Sequence, residues 1–545
     1  MNPSVASVIL ELLGRHGISR AFGIPGVHNL PFWDADSETA PRIIGVRHEQ
    51  AAGYAADAVF RATGSPAAAL LTSGPGAANV LAAFGEAHIS GSAVIAIASE
   101  VNQSLRSPAG ERGILHEMAD QAAMFAAFGA PSRAATTRQE AVACTVLALR
   151  DAWGPPPLSS YVGVPSDVLG EEWTAAVPHI PRMPGVGADP NDVTALAELI
   201  STSARVVLWL GGGVVTSGAE DEVRALAHRL GAPVLTSYAG RGLMAGDPLL
   251  ANAPVHEPEV SAVLADADLL IVLGSSFDGM NTKNWRIPLP RRRAAVTFGS
   301  LIDQTIDFDC LIKADVGETL VALRETLDEM RVEARDPWRD VAGIRGEIVA
   351  RLTSDPRTST AIRWVEQIER GWAADGAVVC DMAVGAYWVG GYSQQPRPRR
   401  MQYPVGWGTL GFALPAAIGP ASLGIPTLAV CGDGGPMFAL GELATYAQES
   451  LPVTLMIIDD GGYGMLRFDQ QVFGHPERGV DLLTPDWSSL GAAFGITVER
   501  VDVVDDIAPA LQRARTANDR GEPRIVVWNE RLFPPRTTSP RWFED

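Results

Sequence analysis

The chain has 545 residues, 47% hydrophobic and 19% charged, which excludes a disordered protein and suggests about three or four domains. Its 43 Lys and Arg against 63 Asp and Glu leave a net charge of −20, which argues against a nucleic-acid or anionic-membrane partner, since phosphate contacts need a basic face. Four cysteines without a C-x-x-C pair indicate neither a disulfide framework nor a structural zinc site.

From the N-terminus, Met1–Arg20 is amphipathic, with no basic start, apolar core or cleavage site, so no signal peptide is expected. No apolar run reaches about 18 residues, so no spanning helix is expected, and the chain is read as cytoplasmic. Three blocks then repeat one rhythm of apolar run, Gly-rich turn and helical pattern. The first has strand-like Ala67–Thr72, the turn Ser73-Gly74-Pro75-Gly76, a helix over Ala77–Ile89 and a strand over Ala93–Ala98. The second has Val206–Leu210, Gly211-Gly212-Gly213, a helix to about Leu230, and strands at Pro233–Ser237, Leu269–Leu273 and Ala294–Phe298. The third has Ala377–Cys380, Thr427–Cys431, Val453–Ile458 and Arg524–Trp528, with helical segments between them, one over Met437–Glu449. Alternation of this kind predicts an α/β fold of three doubly wound parallel-sheet domains. Prolines 178, 181, 184 and 190 mark one linker, and the charged stretch around Pro337 marks a second. The expected boundaries are 1–175, 190–332 and 345–530, with an extended tail from Pro534.

The sharpest chemistry lies in the third block. The strand to Cys431 runs into Gly432-Asp433-Gly434-Gly435, and the strand to Ile458 runs into Asp459-Asp460-Gly461-Gly462-Tyr463-Gly464. One helix and one strand separate the two turns, so both emerge at the carboxyl edge of a parallel sheet, where such folds bind ligands. Glycines admit an anion to the backbone, and a carboxylate in such a turn suits a Mg²⁺ ion shared with phosphates.

This pairing resembles the thiamine-diphosphate signature, Gly-Asp-Gly followed by Asn-Asn, and the chain resembles the acetolactate synthase and benzoylformate decarboxylase group. The resemblance implies thiamine diphosphate with Mg²⁺ or Ca²⁺ as cofactors, the metal held by Asp433, the side chain of Asp460 and the carbonyl of Gly462. Gly432, Gly434, Gly435 and Tyr463 would line the cofactor. Here Asp459-Asp460 replaces Asn-Asn; Asp460 can still ligate, whereas a carboxylate at 459 cannot donate as an amide does. The first block continues the resemblance through Gly23-Ile24-Pro25-Gly26, Arg47-His48-Glu49-Gln50 and Thr72-Ser73-Gly74-Pro75-Gly76. These imply Pro25, Gly26, Thr72 and Gly74 around the pyrimidine, with Glu49 as the catalytic carboxyl that hydrogen-bonds its ring. Gly406-Trp407-Gly408-Thr409-Leu410-Gly411 is similar to a third family stretch, in which Gly408 and Leu410 meet the pyrimidine and the apolar residue at 410 wedges beneath the cofactor.

Substrate residues are less legible. His116, in Leu115–Gln121, and His28, after Pro25-Gly26, are candidate proton donors, while the adjacent His pair of pyruvate decarboxylase-like members is not evident. In the central block Thr216 stands at the third glycine position and no acid follows Pro233–Ser237, so NAD is not expected. The resembling family uses this domain sometimes as an FAD or ADP site and sometimes leaves it empty; FAD is not expected here, and Arg291-Arg292-Arg293 could meet a nucleotide phosphate but reads better as a solvated loop. The resemblance implies a homo-oligomer, dimer or tetramer, in which Glu49 of one subunit meets cofactor held by another. The reading favours decarboxylation of a small 2-oxo acid with carboligation to a second carbonyl. Simple decarboxylation with aldehyde release, an FAD-linked 2-oxo acid oxidase, and a non-catalytic relic are the alternatives.

Overall fold

The computed structural model describes all residues except 1, 36–37, 108–109, 181–184, 300–301, 303–305, 373 and 544–545. The linker prolines 181 and 184 therefore lie outside the described residues. The first sheet contains β1 (Arg20–Gly23), β2 (Arg42–Gly45), β3 (Ala67–Leu71), β4 (Val94–Glu100), β5 (Ser132–Ala134) and β6 (Ser160–Pro165), in the order β2-β1-β3-β4-β6-β5. The central sheet contains β7 (Val206–Leu210), β8 (Val234–Thr236), β9 (Leu269–Leu273), β10 (Arg292–Val296) and β11 (Cys310–Ile312), in the order β11-β10-β9-β7-β8. The third contains β12 (Ala377–Cys380), β13 (Met401–Gln402), β14 (Thr427–Gly432), β15 (Val453–Asp459), β16 (Thr497–Val501) and β17 (Arg524–Asn529), in the order β13-β12-β14-β15-β17-β16.

All strand pairs are parallel, and β3, β4, β6, β7, β9 and β15 are buried at every position. Continuous apolar runs such as Leu269–Leu273 are what a strand covered by helices on both faces requires. The first and third sheets have the same strand order, each reversing between its second and third strands. That reversal opens a crevice at the carboxyl ends of β1 and β3 in one domain and of β12 and β14 in the other.

The first and third domains share one apolar core, in which Tyr54 meets the Phe412 ring edge-on at 5.3 Å. Below it lies a buried polar knot. Glu86, fully buried in the helix Leu81–Ile89, accepts from Arg61 (3.1 Å), Ser90 (2.8 Å) and the backbone N–H groups of Gly406 (3.3 Å), Trp407 (3.0 Å) and Gly408 (3.1 Å). One carboxylate thus fixes the start of the 406–411 turn from another domain. Glu86→Ala strands these donors and half of the Arg61 pairing, so it is expected to cost about 3–5 kcal/mol in chemical denaturation. Glu86→Gln, which keeps an acceptor, is expected to cost less.

Several local expectations change. The helix over Ala77–Ile89 is two, Pro75–Asn79 and Leu81–Ile89, the first led by a proline preset for a helix start. The helix over Met437–Glu449 is a 3₁₀ turn, Pro436–Phe438, followed by Glu442–Gln448. The helix after Gly213 breaks at Gly218, which takes φ +66°. The tail from Pro534 is packed rather than extended: Arg541 and Trp542 are buried, and the Trp542 carbonyl accepts from Lys283 at 2.8 Å. Gly213 and Gly274 explain the central glycines. A Cβ on Gly213 would lie 2.6 Å from the Gly274 Cα, so the turns after β7 and β9 touch directly. Arg292 is held by Thr202 and Ser203, and Arg293 by Asp307 and Asp309, rather than by solvent alone.

Candidate cofactor and active site

Register brings the acidic turns together. Gly432 pairs with Ile458 across β14 and β15, so the chain leaves both strands at one level into Asp433 and Asp460; Asp459 pairs with Asn529, which brings Glu530 to the same edge. Both oxygens of Asp433 and Oδ1 of Asp460 are buried with no hydrogen-bond partner among the described residues. Burial, then the charges of Asp460 and Asp459, push the Asp433 carboxyl up to about 7. Burial also raises Asp460, opposed by Arg467 and Arg531. Orphaned, mutually repelling carboxylate oxygens suit a hard divalent cation, which takes oxygen ligands. No group of three or more His, Cys, Asp or Glu side chains gathers as a metal cluster among the described residues, so a cation here would rest on two carboxylates and backbone oxygen.

Sequence reasoning missed what balances the extra acids. Arg467 is buried and lies 3.9 Å from Asp460, 3.0 Å from Asp481 and 3.8 Å from Glu477, while its Nη2 donates to the Gly461 carbonyl at 3.2 Å. Asp459 accepts from the Trp487 indole N–H at 2.9 Å and from the Gly461 N–H at 3.3 Å. Two donors face residue 459, so an acceptor-only carboxylate fits there.

The cavity beside these turns is lined by Asp381, Tyr387, Leu410, Gly432, Gly434, Gly435, Phe438, Asp460, Gly462, Tyr463, Leu466 and Glu530, among others. A Cβ on Gly434 would lie 2.7 Å from the Tyr463 ring, so the narrow wall requires glycine. Leu410 is 41% exposed at the tip of a turn whose flanking Gly408 and Gly411 take φ +75° and +73°, values an L side chain resists. Buried Asp381 clamps that turn by accepting from Gly411 at 3.1 Å and Ala413 at 3.3 Å. Its carboxyl is raised to about 6 by burial. A larger cleft of ≈ 670 Å³ between the central and third domains contains none of the motif residues, whereas those of the third domain gather at the smaller cavity.

The first-domain motif residues form a separate cluster at their own sheet edge, and none of them lines that cavity. Glu49 begins the helix Glu49–Thr63 behind the His48 N-cap; it is 9% exposed, accepts from Asn79 at 3.0 Å, and has Gly76 against it. Arg47 turns away to Gln448. Gly26 packs on Thr72, whose Oγ1 is buried without a partner among the described residues, and Pro25 is exposed. The turn at Gly74 donates its N–H to Gln121 Oε1 at 2.7 Å; Gln121 also donates to Ser99 and Tyr161, so that amide is used inside the domain.

The structure joins two residues that are distant in sequence. His28 and His116 meet edge to face at 5.2 Å, and both Nδ1 atoms reach Ser73 Oγ, at 2.5 and 3.1 Å. His116 takes φ +68°, a strained conformation held against Gly74. Burial, then His116, lowers the pKa of His28, which favours its neutral ring.

Comparison with known proteins agrees with this layout. The family models described as thiamine pyrophosphate enzyme, N-terminal TPP binding domain, central domain and C-terminal TPP binding domain match residues 3–124, 193–323 and 383–527. The chain is 33% identical to the probable 2-ketoarginine decarboxylase of Pseudomonas aeruginosa, over 93% of this chain and 91% of that protein. It is 30% identical to the acetolactate synthase large subunits of Mycobacterium tuberculosis, over 94% and 86%, and of Corynebacterium glutamicum, over 94% and 85%. Among the described residues no helix is long and apolar enough to cross a membrane.

Proposed function

This chain belongs to the thiamine pyrophosphate enzyme family, and we propose that it decarboxylates a 2-oxo acid and releases the product as an aldehyde. The observation carrying the second half is the His28–Ser73–His116 cluster beside Gly74. Bound thiamine diphosphate supplies the electron sink for the pair left when CO₂ departs. Asp433, Asp460 and the Gly462 carbonyl would hold Mg²⁺ against its diphosphate, with Gly432, Gly434, Gly435 and Tyr463 around it. Leu410 would support the cofactor from below, Gly408 would meet the pyrimidine, and Pro25, Gly26, Thr72 and Gly74 would complete that end. Glu49 would exchange a proton with the pyrimidine ring, as a positioned carboxyl can.

Ser73 has one hydroxyl proton. It donates to one imidazole Nδ1 and accepts from the other, so the two rings take complementary tautomers and a proton can pass between them. Such a relay delivers a proton to the product end of the site. Ser73→Ala uncouples the rings and is expected to slow aldehyde formation by about 10- to 100-fold with cofactor affinity unchanged. An unaltered rate would remove the relay. The acetolactate synthase relatives favour a second reading, carboligation to a hydroxy ketone. Product identification after CO₂ release separates the two, and 2-ketoarginine is a first substrate to assay because of the Pseudomonas relative.

Within one chain Glu49 does not line the cavity beside the Asp433 turn, which supports a homo-oligomer, dimer or tetramer, that joins them. Apolar side chains stand exposed on both: Val27 and Leu115 near one, Phe438 and Leu466 near the other. A second copy would cover them.

A further inference from the structure

We propose that Glu442, a residue of the third domain, is a positioning residue for Glu49 of its own chain. It thus serves the site that Glu49 enters on a partner chain, not the site beside its own Asp433. The proposal rests on the two-chain reading above and adds a residue to it. Glu442 opens the helix Glu442–Gln448, which follows the Asp433 turn and the 3₁₀ turn Pro436–Phe438. Its Oε1 accepts from the backbone N–H groups of Arg47 at 2.8 Å and His48 at 3.1 Å. Its Oε2 accepts from Thr445 Oγ1 at 2.6 Å. The residue is 1% exposed, and it does not line the cavity beside Asp433.

The two N–H groups that Glu442 holds lead straight into Glu49. β2 ends at Gly45, and His48, the N-cap of the Glu49–Thr63 helix, is extended at φ −149° and ψ 142°. Backbone donors there need an acceptor, and the buried carboxylate supplies one for both, fixing the peptide planes that set the helix start. Further contacts hold the two segments together. Arg47 Nη2 donates to Gln448 at 2.6 Å, and Arg42 pairs with Glu449 at 2.7 Å. A Cβ on Gly441 would lie 3.4 Å from that of Arg47, so the turn before Glu442 packs on the same stretch. A reacting group displaced by about 1 Å can lose about 100-fold in rate, so what fixes this start fixes the reach of the Glu49 carboxyl.

The first readout uses the full chain without cofactor. Amide hydrogen exchange at Arg47 and His48, followed by mass spectrometry, is expected to speed up about 10-fold or more in Glu442→Ala. Glu442→Gln keeps an acceptor oxygen and is expected to stay near wild type; unchanged exchange in the alanine variant overturns the proposal. Loaded with thiamine diphosphate and Mg²⁺, Glu442→Ala is expected to lose about 10- to 100-fold in kcat, with KM and cofactor affinity within about threefold. Glu442→Gln is expected to recover most of that loss. Mixed dimers then assign the residue to a site. Co-expressed with Asp433→Ala, Glu442→Ala is expected to return about a quarter of wild-type turnover, because an intact Glu49 start on one chain meets an intact Asp433 turn on the other. Co-expressed with Glu49→Gln, it is expected to return nothing beyond its own residual rate. Any other pattern, while Glu49→Gln with Asp433→Ala recovers, overturns the proposal. Glu442→Asp, shorter by one methylene, replaces the alanine variant if that chain does not fold. If Glu49→Gln with Asp433→Ala restores nothing, the two-chain reading fails, and exchange together with the kcat loss decides whether Glu442 positions Glu49 at all. If no 2-oxo acid releases CO₂, the decarboxylase reading fails, and solvent exchange of the thiazolium C2 proton of bound cofactor, read by NMR, replaces turnover in every pair.

Discussion

Replacing Glu49 with glutamine is expected to lower 2-oxo acid decarboxylation by about 10²–10⁴-fold while leaving thiamine diphosphate affinity within about threefold. The substitution keeps the length and the acceptor oxygen, so the contact from Asn79 Nδ2, 3.0 Å in the native chain, survives. What disappears is the exchangeable carboxyl proton. Glu49 owes its placement to the turn after β2: His48 accepts from the Gln50 N–H at 3.1 Å, which starts the helix and leaves the Glu49 side chain on the Gly76 turn. Since Arg47 is engaged elsewhere, the carboxyl has no cation to lose, and the change is expected to be nearly neutral for stability. Calorimetric titration with the cofactor and a CO₂-release assay on the same preparation separate these effects. Full turnover in Glu49→Gln would make the residue a structural helix start and nothing more.

The residues legible in the sequence are those whose chemistry is local. Gly432-Asp433-Gly434-Gly435 and Asp459-Asp460 follow strands directly, so the reading of two parallel strands already sent both turns to one sheet edge. Glu49 was legible only through its neighbours, because one glutamate at a helix start carries no distinguishing pattern. The His28–His116 contact was not legible. The sequence reading sought adjacent histidines, whereas here β1 and β3 lie side by side and Ser73 supplies the link. Asp459 looked anomalous because its partner, Trp487, belongs to a later helix. Glu86 does carry a signal in the sequence: a lone acid amid Ala, Phe and Gly on an apolar helix needs buried partners. The split of Met437–Glu449 is also not legible, since Pro436 starts a separate 3₁₀ turn and Gly441 alone breaks a segment whose composition is otherwise helical.

Asp433→Ala is expected to weaken Mg²⁺-dependent cofactor binding by about 100-fold or more without destabilising the cofactor-free chain. Both Asp433 oxygens are buried and unpartnered among the described residues, and Asp460 and Asp459 repel them, so deletion removes a cost rather than a contact. A thermal midpoint equal to or above wild type, together with lost cofactor, is the signature of a ligand; a lowered midpoint with cofactor retained would mark a structural acid. Asp460→Asn is expected to be milder, because an amide oxygen still ligates and Arg467 keeps Asp481 at 3.0 Å. Combining this variant with the first yields the sharper result. Glu49→Gln and Asp433→Ala are each inactive alone, but co-expressed chains that pair at random form mixed dimers. In those, one site joins an intact Glu49 from one chain to an intact Asp433 from the other. Half the dimers are mixed and one of their two sites is whole, so about a quarter of wild-type turnover is expected to return. Were Glu49 and Asp433 to act within a single chain, each chain would lack one of them and mixing would restore nothing. The cavity beside Asp433 is lined by third-domain residues, and the recovery assay asks whether a second chain brings Glu49 to it.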